Sequence, residues 1–265
     1  MAPAPWAAVA VNRFGYYFKV TKIALITGAN GGIGQALCHA FLDKSYTVLA
    51  TDIMECRPPC HQFLKLDLDR FCTDDSYRVD FFKEVREIMG SKGLHALVNN
   101  AATQIISNIE SVTVDDWRLS LHINLVAPFL LAQGFLVELV KARGSIINIA
   151  SIHSKLTKPR FVCYATTKAA LTGLTRSLAV ELGEKGVRIN AIAPAATDTK
   201  MLWAGFSRTK QEIRDLSDLH PIRRIAQPEE IASVALFLAS DQASFINGVC
   251  LDVDGGIGAR LHDPD

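Results

Sequence analysis

Tyr164 and Lys168 stand four positions apart in CYATTKAAL (163–171), a run of small residues that tolerates a helix. On a helix this spacing brings both side chains to one face. A phenol titrates near a pH of about 10, too high for efficient proton exchange at neutrality, and a neighbouring ammonium favours the phenolate. The two residues together suit a general acid/base and its activator. Tyrosine and lysine at this spacing also occur by coincidence, so the chemistry depends on what else the chain carries. A second constellation is TGANGGIG (27–34). Gly28 permits a tight turn, while Gly32 and Gly34 lack side chains where a pyrophosphate and the sheet must come close. A helix starting near Ile33 would aim its N–H groups at the phosphates. Asp52 follows Gly28 by 24 positions, where a carboxylate accepts from the ribose hydroxyls and repels a ribose phosphate. Ile53 comes next, and the turn holds no Arg or Lys, so the expected cofactor is NAD(H) rather than NADP(H).

These residues need a scaffold, and the chain supplies an alternating one. KIALIT (22–27), YTVLAT (46–51), HALVNN (95–100), SIINIAS (145–151), VRINAIA (187–193) and VCLDV (249–253) are nearly continuous apolar runs. Such runs are expected of parallel strands buried on both faces. Helical patterns lie between them at 33–44, 77–90, 115–140, 162–184 and 228–240. Thr113 offers a cap to the third of these, and Pro228 takes the first position of the last. Strands alternating with helices predict an α/β fold, a doubly wound parallel sheet of the Rossmann type in one domain spanning 21–265. The segment 1–20 is expected to be a flexible extension. Its apolar run precedes its basic residues, which is the wrong order for a secretory signal, and is too short for a membrane span.

The ordered motifs resemble those of the short-chain dehydrogenase/reductase family across roughly 21–258. They are the glycine turn, NNAA (99–102), INIAS (147–151), YATTK (164–168), INAIAPAATDT (189–199) and the stretch 227–256. Ala102 and Ala195 stand where the family usually has glycine. The resemblance implies a catalytic tetrad of Asn124, Ser151, Tyr164 and Lys168. Ser151 would hold the substrate oxygen, and Asn124 would position a water in a proton relay to Lys168. It also implies a cofactor site formed by Gly28, Asn30, Gly32, Ile33, Gly34, Asp52, Asp67, Leu68, Asn100, Ala101, Tyr164, Lys168, Thr197 and Thr199. The function so implied is hydride transfer between NAD(H) and a secondary alcohol/ketone pair. A non-catalytic NAD-binding sensor or scaffold is the alternative, which an intact tetrad disfavours. A nucleotide-sugar epimerase would need more chain than 194–227 provides.

Substrate signals are thinner. Gln104 and His153, with Ser151, are the expected substrate contacts. Similar placements in the family's 3-hydroxybutyrate dehydrogenases bind a small carboxylate. Lys155, Lys158 and Arg160 would suit an anion, but the lysine used there for binding falls on Phe161, and His153 equally suits a sugar or polyol hydroxyl. The segment 198–224 is expected to cover the pocket as a lid, with Met201, Leu202, Trp203 and Phe206 on its inner face. A net charge of +1 and scattered basic residues point to no nucleic-acid or membrane partner. The six cysteines show no paired metal spacing, so no metal is expected and free thiols suggest a cytoplasmic protein. The resemblance implies a homotetramer.

Overall fold

The computed structural model of the protein describes residues 9–11, 17–19, 22–55, 58–204, 206 and 209–261. Within the expected extension, β1 (Val9–Val11) and β2 (Tyr17–Lys19) pair as an antiparallel ribbon. The rest of 1–20 lies outside the described residues, as does Cys56. The chain then alternates through β3 (Ile23–Thr27), α1 (Gly32–Asp43), β4 (Thr47–Asp52), β5 (Gln62–Lys65), α2 (Leu68–Thr73), α3 (Asp75–Met89) and β6 (Ala96–Asn99). Next come α4 (Val114–Leu121), α5 (Ala127–Gly134), α6 (Leu136–Ala142), β7 (Ser145–Ile149) and α7 (Val162–Gly183). β8 (Arg188–Pro194), α8 (Lys200–Trp203), α9 (Lys210–Leu219), α10 (Pro228–Ala239) and β9 (Cys250–Val253) complete it.

The strands β3 to β9 form one parallel sheet in the order β5-β4-β3-β6-β7-β8-β9. Every residue of β3, β6 and β7 is buried, because helices cover both faces and neither face needs polar residues. One core layer joins Phe41 and Leu37 of α1 to Ile231 and Leu238 of α10. The other joins Phe71, Phe81, Leu131, Phe135 and Leu182 from the helices on the opposite face. The strand order reverses between β3 and β6, and a crevice opens beyond the carboxyl ends of strands flanking such a reversal.

Two sequence expectations need correction. β5 was not anticipated: it has four residues, lies at the sheet edge and buries only Leu64, so it carries almost no apolar signature. The helix expected over 115–140 is instead interrupted twice. Thr113 and Asp116 form the capping box that starts α4, as the sequence suggested. A π-helical turn, His122–Val126, then separates α4 from α5. Pro128 has no N–H to close a regular turn on the Asn124 carbonyl, which favours the wider turn there. At Gly134–Phe135 the helix bends by 63° into α6. A Cβ on Gly134 would overlap the Phe82 ring, which packs edge-on against the fully buried Phe135 at 4.9 Å between centroids. No single helix among the described residues is long and apolar enough to cross a membrane.

Candidate active site

A cavity of about 640 Å³ lies at the strand-order reversal, within the range of small-molecule and cofactor sites. Gly28, at the end of β3, has φ +64°, and a Cβ there would sit 2.6 Å from Ala101 Cα. The turn is therefore clamped against the end of β6, and only glycine fits both the dihedral and the space. Asn100 tightens this clamp, its side-chain amide donating to the carbonyls of Thr27 (3.0 Å) and Gly28 (2.9 Å). The N–H groups of Asn100 and Ala101 both donate to Thr27 Oγ1 at 3.1 Å. A Cβ on Gly32 would reach 2.8 Å from Thr199 Cγ2, whereas one on Gly31 would meet only Gly28 O, at 3.4 Å.

Asp52, at the end of β4, accepts from the backbone N–H of Asn30 (3.0 Å) and of Met54 (3.2 Å). Asn30 in turn donates its amide to Met54 O at 2.7 Å. Acid, glycine turn and strand end are thus tied into one unit facing the cavity. Asp67 caps α2 by accepting from the N–H of Asp69 and Arg70, and its neighbour Leu68 is buried. Thr197 donates to Ala195 O, and Thr199 caps α8.

Tyr164, Lys168 and Ser151 meet on the opposite wall. The first two lie one turn apart on α7 and are only 7% and 2% exposed. Ser151 sits in extended backbone just beyond β7, and its hydroxyl, close to Tyr164, favours the phenolate. Burial is the larger influence and pushes the Tyr164 phenol above its ordinary value. Lys168 Nζ donates to Ile149 O at 2.6 Å and stands 5.7 Å from the Tyr164 ring centroid. Burial brings its own pKa down from 10.5 to about 7. The expected lowering of the phenol by Lys168 is therefore not what this arrangement produces: desolvation acts on both groups, and Ser151 supplies the opposing influence.

Asn124 lies away from the cavity wall. Its side chain exchanges bonds with the Thr103 backbone, N–H to Oδ1 and Nδ2 to C=O, both at 2.9 Å, and Nδ2 also donates to Thr167 Oγ1 at 3.0 Å. It fastens the loop after β6 to α7. Asn30 is likewise absent from the wall, whereas every other candidate residue lines it.

Gln104 and His153 both border the substrate end. The His153 ring stacks on Phe161 at 4.6 Å, and Nδ1 meets Thr157 Oγ1 at 3.3 Å. Burial and the nearby Lys158 ammonium bring His153 down to about 4, so it is neutral at physiological pH. Of the basic loop residues, Lys155 is taken by Asp252 (2.7 Å), whereas Lys158 borders the cavity and lies over Phe161. Met201 and Leu202 line the wall as expected of a lid, but Trp203 and Phe206 do not. They pack on each other, and Trp203 Nε1 donates to Asp198 at 2.7 Å. Sequence reasoning overlooked Leu216, Leu219, His220 and Ile257, which complete the wall. The apolar spacing of α9 was the only trace of Leu216 and Leu219. Among the described residues no cluster of His, Cys, Asp or Glu could hold a metal ion.

A doubly wound sheet, a glycine turn at its switch point and a buried Tyr–Ser–Lys group beside it define a Rossmann-fold oxidoreductase. The chain belongs to the short-chain dehydrogenase/reductase family. Residues 28–258 match the family model described as enoyl-(acyl carrier protein) reductase. Protein FixR of Bradyrhizobium diazoefficiens is 37% identical over 89% of this chain and 86% of its own. The meso-2,3-butanediol dehydrogenase of Serratia marcescens is 32% identical over 92% and 97%. The ligand-free aldohexose dehydrogenase of Thermoplasma acidophilum superposes with a TM-score of 0.84 at 30% identity, covering 92% of this chain and 97% of that one. A 4-hydroxyisoleucine dehydrogenase of the same fold is complexed with NADH, at a TM-score of 0.81 and 29% identity, over 91% and 100%.

Proposed function

We propose that the protein is an NAD-dependent dehydrogenase/reductase that interconverts a secondary alcohol and a ketone, with Tyr164 as general acid/base. The observation that carries this reading is the buried pair Tyr164 and Ser151, with Lys168 one turn away, on the cavity that also holds the glycine turn. The relatives named as butanediol, glycerol and threitol dehydrogenases support a small alcohol or polyol as substrate.

The residues fit the dinucleotide. A Cβ on Gly31 would meet only Gly28 O, at 3.4 Å, so the turn has room beside it for a phosphate, and the Asp52 carboxylate keeps lone pairs for ribose hydroxyls beyond the two N–H groups it already accepts. Its charge, with exposed Ile53 and Met54 after it, favours NAD(H) over a phosphorylated ribose. Asp67, Leu68, Asn100, Ala101, Thr197 and Thr199 complete the wall for the adenine and nicotinamide ends.

NAD(H), when bound, takes up or supplies the hydride. Ser151 Oγ holds the substrate oxygen, and Tyr164 Oη gives it a proton or removes one. Lys168, poised near pH 7, passes that proton onward and offers its remaining N–H groups to the nicotinamide ribose. Both amide protons of Asn124 and one lone pair of its Oδ1 are already engaged, so a water-holding role suits its backbone carbonyl better, which Pro128 leaves without the usual helical donor. Burying Lys168 is costly, and a merely scaffolding protein would gain stability by losing it, which weighs against the sensor alternative.

The segment 198–224 serves as a lid: neither α8 nor α9 contains a fully buried residue, and substrate should slow hydrogen exchange there. Exposed Val114 on α4, Val137 on α6 and Val180 on α7, with Phe245 near the edge strand β9, support a homotetramer, which sedimentation would check. The five described cysteines are free thiols, in keeping with a cytoplasmic site. The direct test of the function is NAD reduction across alcohols, polyols and hydroxy acids, with Tyr164→Phe as control.

A further inference from the structure

Charge is unevenly spread over the cavity wall. Among the described residues, Asp52 and Asp67 are the only acids on it, and both stand at the adenosine end. At the substrate end Lys158, exposed on the loop between β7 and α7, borders the cavity. Its Nζ lies 4.7 Å from the Phe161 ring centroid and 5.4 Å from that of Phe206. The ammonium is thus held between the body of the protein and the segment 198–224. It makes no ion pair among the described residues, whereas Lys155 is paired with Asp252. Burial has drawn Lys158 partly out of water and lowers its pKa from the ordinary 10.5. The nearby His153 is neutral at physiological pH and supplies no negative charge. A partly desolvated cation without a counter-ion is costly, and an anion placed beside it offsets that cost.

We propose that Lys158 binds a carboxylate of the substrate, so that the protein acts on hydroxy acids and their keto forms in preference to neutral alcohols. This rests on the alcohol reading above and names the class of secondary alcohol. Much of the remaining wall at this end is apolar, with Leu156, Met201, Leu202 and Leu219, and suits the carbon chain that joins carbinol to carboxylate. A neutral polyol would leave Lys158 uncompensated and set its hydroxyls against those side chains. A single ammonium matches the one charge of a carboxylate better than the two of a phosphate. Because Lys158 also meets Phe206, a carboxylate on Nζ sits where lid and body come together, and its binding would hold the lid down.

The test compares kcat/KM for 3-hydroxybutyrate, 4-hydroxypentanoate and 5-hydroxyhexanoate with the values for their amides, with NAD in excess. Acid and amide share shape and carbinol and differ in charge, and the three spacings sample the reach of the lysine stem. In the parent at least one acid should exceed its amide by about 10-fold, the low end for a charge-assisted bond that is partly exposed. High salt should shrink that preference. Lys158→Met should lose it, and Lys158→Arg, which keeps the charge, should retain it. NADH binding, followed by its fluorescence, verifies that each variant is folded, and Lys158→Gln takes the place of Lys158→Met if that check fails. A parent that turns over the amides or neutral polyols as well as the acids, or an acid preference that Lys158→Met leaves unmoved, overturns the assignment while leaving the alcohol reading intact. Turnover of none of the acids, amides or polyols refutes that reading, and the assignment with it.

Discussion

Replacing Lys168 by methionine should make the protein more stable while abolishing its activity. Lys168 is 2% exposed, and burial lowers its pKa from 10.5 to about 7. At about 1.4 kcal/mol per pH unit, that depression corresponds to roughly 5 kcal/mol of folding free energy withheld when the amine is charged. Methionine nearly matches the lysine stem but forfeits the Nζ bond to Ile149 O, worth about 1 kcal/mol. A net gain of about 2–4 kcal/mol remains below pH 7. The sign follows from proton counts. Below pH 7 both folded and unfolded chains carry the proton, and the folded state bears the full cost. Between 7 and 10.5 the folded chain sheds the proton first, so the parent gains stability as pH rises and the advantage of methionine shrinks. Above that range it vanishes. Urea unfolding at pH 6, 8 and 9.5 reads the effect, and thermal unfolding should show about 2 °C for each kcal/mol. A variant that is less stable than the parent at pH 6, or an advantage that does not change with pH, would refute the argument that Lys168 is a desolvated cation.

Other changes bear on the cofactor cradle. Gly28→Ala forces a side chain into φ +64° and against the Ala101 backbone, so it should cost about 2–3 kcal/mol and weaken NAD binding; an unchanged melting temperature would contradict the tight clamp. Asp52→Asn should weaken NAD binding by about 10-fold, the worth of one charge-assisted bond, and should raise the relative use of NADP. Michaelis constants for both cofactors check this, and equal NAD constants in parent and variant would count against Asp52 as the ribose ligand.

Much of the sheet was legible in the amino-acid order, since strands buried on both faces must be apolar throughout. β3, β4, β6, β7, β8 and β9 all fall within a residue or two of the runs that announced them. β5 was silent because an edge strand of four residues buries little. The break at Gly134–Phe135 was hidden for a different reason: it depends on the Phe82 ring, which arrives from another helix. Within the site, ordered motifs located the glycine turn, Asp52, Ser151, Tyr164 and Lys168 on one cavity. What spacing cannot convey is how each polar atom is spent. Asn124 and Asn100 use their amides to fasten backbone, Lys155 pairs with Asp252, and Lys168 points to Ile149 O.

The central claim is that Tyr164 exchanges the proton in NAD-linked alcohol oxidation. The decisive measurement is the rate of NADH formation, by absorbance, from a panel of secondary alcohols and polyols, in the parent and in Tyr164→Phe. The phenylalanine keeps the ring and its packing and removes only Oη. NAD binding should survive, while kcat falls by at least ~10²-fold, the usual loss when a general acid/base is removed. Equal turnover in the two proteins would contradict the account.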